Sequence, residues 1–196
     1  MSFNSLVSPL FSTKPSRKSM FMVAAAGLAF VGTVAAVSHA HAASKETQGQ
    51  LSRIDKEFLM NAAQAGTTEI LASKTASGKA ASQAVKTFAA GMVVDHTKVA
   101  DELKQLASSK GVNVPDEPSM KQQALMAKLN VLDGAQFDQL YADEIGVAAH
   151  KEAVALFRKA SLSAKDADVK AFAQKTLPAL EHHLQMAESL KAAVNK

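Results

Sequence analysis

The sequence contains no cysteine and no tryptophan, and it has a single tyrosine. Without cysteine the chain cannot form a disulfide, present a thiolate nucleophile, hold an iron–sulfur cluster or carry a cysteine-linked lipid. Proline and glycine are sparse, and no stretch shows the apolar–polar alternation of a half-buried strand. Alanine, leucine, lysine and glutamine are abundant instead, and these residues favour helices.

A basic stripe is also missing. The chain has 22 Lys and Arg against 18 Asp and Glu, and three of the basic residues but none of the acidic ones precede residue 43. The remainder is therefore nearly neutral and lacks the charge pattern of a nucleic-acid-binding protein. Gly-rich phosphate loops and nucleophile-elbow motifs are absent too, so the sequence favours a protein that is not an enzyme.

The first 42 residues have the features of a secretory signal peptide. Lys14, Arg17 and Lys18 precede an apolar run of small residues, Met20–Val37, and Ala40-His41-Ala42 fits a small-x-small cleavage site. We expect cleavage after Ala42 and a periplasmic or secreted protein. The alternative is an uncleaved anchor, because about 18 apolar residues approach the length of a membrane span. Residues 43–51 are expected to be a flexible linker and residues 52–196 a single domain.

Apolar residues recur at helical spacing in four long segments of this domain. We predict helices over residues 55–77, 79–110, 133–160 and 163–194, with Gly78 and Gly111 as helix ends. A capping box at Ser119–Gln122 predicts a further short helix to about residue 132. The pattern predicts an all-α four-helix bundle with a short extra helix between helices two and three.

Each long helix carries a polar residue within its apolar stripe. A buried polar group costs free energy unless it has a partner, and metal sites in bundles are built from side chains on facing helices. We therefore predict a polar core or metal site. Its candidate residues are Glu69, Asp95, His96, His150 and His183, with Met92, Glu144, His182 and Met186 as secondary candidates.

Three interpretations of this polar core are open. It can be structural, with buried hydrogen bonds that fix the helix register. It can hold copper, because Met92 and Met186 lie one turn from core or neighbouring histidines and thioether plus imidazole suits Cu(I). A di-iron site is less favoured, because no Glu-x-x-His pair precedes His96, His150 or His183. In addition, the numbers of residues from the predicted hairpin turn to Glu69 and to His96 place the two about 10 Å apart along the bundle axis.

Several short runs of residues, in order between about residues 54 and 192, together form a recognisable sequence pattern. These runs are Phe58-Leu59, Ala62–Gly66, Glu69-Ile70, Val85–Ala89, Met92–Thr97, Phe137-Asp138, Tyr141, His150, Ala153–Phe157, Leu177-Pro178 and His183-Leu184. They resemble the bacterial domain of unknown function 4142. The resemblance implies a ferritin-like bundle and an exported protein, often described as a membrane protein because of its leader. It also marks the five core candidates as the family's polar positions, but it implies no activity.

The sequence thus favours an exported, non-enzymatic bundle that binds an unknown small ligand or protein, in a role such as envelope stress. The alternative is a metal-binding or redox protein that uses the core histidines and carboxylates with iron or copper. Convergence of the ring nitrogens on one point would favour the metal, because imidazole ligands must surround the ion.

Overall fold

The computed structural model describes residues 51–196, so the predicted signal peptide and residues 43–50 of the predicted linker lie outside the described residues. The elements are α1 (Arg53–Lys79), α2 (Gln83–Ser109), α3 (Met120–Asn130), α4 (Gly134–Leu140), a π-helix (Tyr141–Ala149), α5 (His150–Ser163) and α6 (Ala167–Val194). α4, the π-helix and α5 follow one another directly and form the third long helix. The predicted all-α four-helix bundle, with a short helix in its second connection, is confirmed.

The helix ends follow from local side-chain chemistry. Ser52 accepts a hydrogen bond from the Asp55 amide at the start of α1, and Ser119 with Gln122 forms the predicted capping box of α3. Gly111 follows α2 with a positive φ of 67° that glycine adopts without strain. The predicted first link was wrong, because α1 continues through Gly78 and α2 begins only at residue 83.

A buried carboxylate ties the start of α1 to the connection between α5 and α6. Asp55 is 1% exposed, and its two oxygens accept hydrogen bonds from the backbone amides of Lys165 and Asp166 at 3.0–3.2 Å. Asp166, in turn, caps α6 by accepting from the amides of residues 168 and 169, so α6 begins at Ala167 and not at the predicted residue 163. These bonds fix the chain at one end of the bundle.

The bundle core consists of two apolar clusters separated by a polar layer. One cluster contains Phe58, Phe157 and Phe172, and the other contains Phe88 and Tyr141. The polar residues of the layer lie between members of the two clusters on every long helix: Glu69 between Ala63 and Ala72, His96 between Met92 and Leu103, His150 between Val147 and Ala153, and His183 between Leu180 and Ala187. Apolar packing thus closes the polar layer from both ends. Within residues 51–196, no helix is both long and apolar enough to span a membrane.

Candidate metal centre

Three histidines from three long helices meet in the polar layer. His96 lies on α2, His150 begins α5 and His183 lies on α6, and their exposed fractions are 3%, 0% and 5%. Their ring centroids are 5.3–5.7 Å apart. One ring nitrogen of each lies within 4.8 Å of a ring nitrogen of the other two. The three imidazoles are therefore close enough for one nitrogen of each to bind the same ion.

One nitrogen of each imidazole lies beside an oxygen. His96 Nδ1 lies 3.0 Å from Glu69 Oε2, and His183 Nε2 lies 3.2 Å from Asp95 Oδ2. His150 Nδ1 lies 3.0 Å from the backbone oxygen of Ile145. Carboxylate and carbonyl oxygens only accept, so in each case the ring nitrogen donates.

These bonds fix which nitrogen of each ring carries a lone pair. The other nitrogens are His96 Nε2, His150 Nε2 and His183 Nδ1, and all three are buried without a hydrogen-bond partner. In the neutral rings these three atoms are acceptors, so no donor stands between them. Unpartnered buried polar atoms are costly, and converging lone pairs attract a cation, which is either a proton or a metal ion.

The pKa values of the residues in the polar layer also indicate that the layer favours a positive charge. Burial lowers the pKa of His96, but the Glu69 carboxylate outweighs burial and leaves this pKa above its usual value. Burial raises the pKa of Glu69, yet the histidines, His96 foremost, bring it below its usual value. The pKa of His183 is lowered by burial and by repulsion from the other two histidines. In the metal-free layer a proton therefore binds His96 in preference to His183.

A π-helix places His150. Between Tyr141 and Ala149 the backbone winds more widely than an α-helix, and this segment ends directly before His150. Tyr141, Ile145 and His150, which are separated by steps of four and five residues, are all fully buried. The Ile145 carbonyl accepts from the His150 ring. π-Helical turns are rare and are frequent at functional sites.

Two small residues let the π-helix approach α6 next to the histidines. A Cβ atom on Gly146 would lie 3.3 Å from the Cβ of Ala187, which is one turn beyond His183. This contact is tighter than ordinary van der Waals distance, so glycine is needed for the present spacing. The close approach sets the distance between His150 and His183.

The buried tyrosine supports the same region from the side of α1. The hydroxyl groups of Tyr141 and Ser73 are 2.7 Å apart, and Ser73 lies one turn beyond Glu69. Burial foremost raises the pKa of Tyr141 above its usual range, so the phenol stays protonated. The sequence analysis missed Ser73, although its spacing from Glu69 would have placed it on the same face.

The structure places the predicted site residues in three different environments. Glu69, His96, His150 and His183 are buried in the layer, and Asp95 touches it with about half of its side chain exposed. Met92 is buried in the neighbouring apolar cluster. The remaining secondary candidates Glu144, His182 and Met186 are exposed on the bundle surface.

The predicted depth mismatch between Glu69 and His96 was wrong. Glu69 lies ten residues before the end of α1 at Lys79, and His96 lies thirteen after the start of α2 at Gln83. Three residues of helix correspond to about 4.5 Å, which two side chains can span. The prediction began α2 too early and so overstated the offset.

The chain belongs to the family described as Domain of unknown function (DUF4142), whose profile matches residues 40–190. This finding confirms the family resemblance seen in the sequence. No curated protein matches the chain at a significant level.

Solved structures with the same fold include two DUF305 proteins. The fragment from Deinococcus radiodurans has a TM-score of 0.64 at 12% identity and covers 73% of this chain and 98% of its own. The protein from Streptomyces coelicolor has a TM-score of 0.61 at 16% identity and covers 72% of this chain and 92% of its own. CopM in its Cu(II)-bound form has a TM-score of 0.60 at 13% identity and covers 71% of this chain and 96% of its own. At these identities the comparisons establish a shared fold.

Proposed function

We propose that this protein binds a transition-metal ion between His96, His150 and His183. The observation that carries the proposal is the meeting of three buried imidazoles, one ring nitrogen of each lying within 4.8 Å of one of the other two, while every ring has one nitrogen without a hydrogen-bond partner and one beside an oxygen. Histidine ligands of metals almost always have such an outer partner, which fixes the tautomer and orients the ring. Glu69, Asp95 and the Ile145 carbonyl fill that role here.

The dimensions of the layer suit an ion of this kind. Metal–imidazole bonds are about 2.0–2.1 Å long, so nitrogens around a tetrahedral ion stand about 3.4 Å apart. The nitrogens lie up to 4.8 Å apart, so binding an ion would draw them closer by up to about 1.4 Å. A purely structural core would instead pair its polar atoms, and three imidazole nitrogens and Glu69 Oε1 have no partner.

Copper is the metal we propose first. Neutral imidazoles bind copper, zinc, iron and nickel, and among divalent ions copper binds most tightly to a given nitrogen site. CopM, which shares the fold, is described in a Cu(II)-bound form. The absence of a Glu-x-x-His pair disfavours a di-iron centre.

We also propose that the protein is exported. The predicted leader would deliver the bundle to the periplasm or outside the cell, where it would bind copper without a catalytic role. A distant relation to the ferritin-like superfamily is part of the same proposal, supported by the four-helix architecture and by polar side chains that project inward from facing helices.

The test is a titration of the purified protein with Cu(II), Cu(I) and Zn(II) in competition with chelators. We expect one equivalent of copper to bind with Kd below about 1 μM. Glutamine at position 96, 150 or 183 should weaken binding by about 100-fold or more, because each removes one ligand while keeping a polar side chain of similar size.

The exposed His182, next to His183 on α6, provides the matched control. His182→Gln should leave copper affinity unchanged, and circular dichroism should show equal helicity for all variants. Binding that is weaker than micromolar, or that is insensitive to all three core substitutions, would overturn the proposal. In that case the structural interpretation of the polar core would stand.

A further inference from the structure

We propose that metal ions enter and leave the polar layer past Asp95, whose carboxylate is the first group of the site that an arriving cation contacts. The inference rests on the proposed function, because it concerns the ion held by the three histidines. It adds to that site a second, transient cation-binding position at the protein surface. The ligand of this position is a hydrated divalent transition-metal ion.

The polar layer is closed to solvent around most of its residues. The two apolar clusters cover its ends. The side chains of His96 and Glu69 are 3% and 2% exposed, and His150 and its carbonyl partner Ile145 are fully buried. A cation that leaves water for such a site loses its hydration, and this costs free energy unless a ligand replaces the water. Entry therefore requires a polar group at the boundary of the layer.

Asp95 is such a boundary group, at the seam between α2 and α6. Its Oδ2 lies 3.2 Å from His183 Nε2. The Asp95 side chain is 49% exposed, whereas that of His183 is 7% exposed. Of the three oxygens that accept from the histidine rings, this one belongs to the side chain that reaches water. A cation can thus bind Asp95 from solvent and already lie beside a buried imidazole.

The contact between Asp95 and His183 connects the outer position to the inner one. A cation that binds the carboxylate competes with the His183 N–H group, because both use the oxygen lone pairs. The released imidazole can then turn the nitrogen that carries its lone pair toward the ion. Imidazole is a better ligand for copper than a carboxylate oxygen is, so the ion passes inward. The same steps in reverse release the ion.

The rates of Cu(II) binding and release by the full-length protein test this entry route. Tyr141 is the single tyrosine of the chain. Its ring contacts Phe88, and Phe88 contacts the His150 ring. Cu(II) bound in the layer should therefore quench the tyrosine fluorescence. Stopped-flow mixing with copper sulfate gives the on-rate, and transfer of the bound ion to excess EDTA gives the off-rate.

Asp95→Asn removes the negative charge but keeps an oxygen that can accept from His183. We expect its on-rate to be lower than that of the wild type by about tenfold or more, because the boundary no longer attracts the cation. Its off-rate should not rise, since release uses the same carboxylate. A residue that only orients His183 would instead leave the on-rate unchanged, and its loss would raise the off-rate.

Glu102→Gln is the matched control. Glu102 lies two turns after Asp95 on α2, about 10 Å away along the helix. Its side chain is 45% exposed and pairs with Lys175 of α6 at 2.8 Å, so it borders the same seam. The substitution also removes one negative charge, but it should change both rates by less than about twofold, because charges at this distance are largely screened.

The outcomes separate the entry route from the proposed function. If copper binds tightly but the on-rate of Asp95→Asn stays within about twofold of the wild type, the entry route is wrong and the proposed function stands. An equal fall of the on-rate in Glu102→Gln would also overturn the entry route, because any surface charge would then have the same effect. Failure of the wild type to bind copper would overturn both.

Discussion

Glu69 Oε2 and His96 Nδ1 lie 3.0 Å apart across the α1–α2 hairpin, and both side chains are 3% exposed or less. A buried carboxylate and a buried imidazole at this distance stabilise each other's charged form. The pair therefore couples the protonation of the layer to its affinity for an ion.

Glu69→Gln should lower the pKa of His96 in the metal-free protein. The carboxylate raises that pKa above the usual 6.5, and without it burial would bring the value below 6.5. Titration of the histidine ring signals by NMR measures the shift. The same substitution should weaken copper binding by about 10–100-fold, as loss of an outer-shell partner does. An unchanged His96 titration would contradict the assigned pairing.

The stability gained from the Glu69–His96 pair should depend on pH. Glu69 has a lowered pKa, so its contribution is present above its usual 4.5 and is lost as pH falls through the lowered value. His96 has a raised pKa, so its contribution is present below 6.5 and is lost as pH rises through the raised value. The contribution is therefore largest between these two usual values.

Urea unfolding of the wild type and Glu69→Gln with a chelator present measures this contribution as a difference. We expect about 2 kcal/mol near pH 5.5, the net value of a hydrogen bond to a charged group. The difference should shrink at higher pH. His183, whose lowered pKa makes both proteins less stable as pH falls below 6.5, largely cancels in the comparison. A difference that grows with pH would contradict the assignment.

His96→Leu should destabilise the metal-free protein by about 3–5 kcal/mol. The substitution leaves the Glu69 carboxylate buried without its partner. The double variant Glu69→Leu/His96→Leu removes both charges and should recover most of the loss. Thermal or urea unfolding of His96→Leu, Glu69→Leu and the double variant gives the coupling free energy. A loss in the double variant equal to the sum of the two single losses would show that the charges do not interact.

Gly146→Ala should lower stability by about 1 kcal/mol and weaken copper binding. The added methyl group presses on Ala187 at 3.3 Å, so the π-helix and α6 must separate by a few tenths of an ångström. Gly91→Ala, on the exposed face of α2, should instead stabilise by up to about 1 kcal/mol because alanine favours the helix. Urea unfolding and copper titration of both variants test the comparison. Equal behaviour would mean that the contact does not set the site.

Asp55→Ala should cost about 3 kcal/mol, because it leaves the amides of Lys165 and Asp166 without their acceptor. Asp116→Ala serves as the control. Its ion pair with Lys104 is exposed and should contribute less than about 1 kcal/mol. Copper affinity should stay unchanged in both variants, since neither residue touches the histidines. Urea unfolding separates the two effects.

The sequence predicted the bundle and the three histidines because both depend on periodicity. His96, His150 and His183 occupy positions in apolar stripes that repeat every three or four residues, and such positions face the core whatever the exact helix ends are. The capping box of α3 was equally predictable from the sequence, because its chemistry is local.

The arrangement around the histidines was harder to predict. The π-helix is a change in backbone hydrogen bonding, and its only sign in the sequence is the step of five from Ile145 to His150, which the prediction of one regular helix over residues 133–160 did not include. The Ile145 carbonyl has no side-chain signature. The register of Glu69 against His96 depends on the three residues between α1 and α2, whose conformation the residue pattern did not fix.

The three anchored imidazoles come from three separate helices, and this has a thermodynamic consequence. An ion held by α2, α5 and α6 binds the folded chain and not the unfolded one. At a free concentration of about 100 times Kd it would add about 2.7 kcal/mol to the free energy of unfolding. The lifetime of the bundle against heat and proteases would then rise and fall with the supply of metal around the cell.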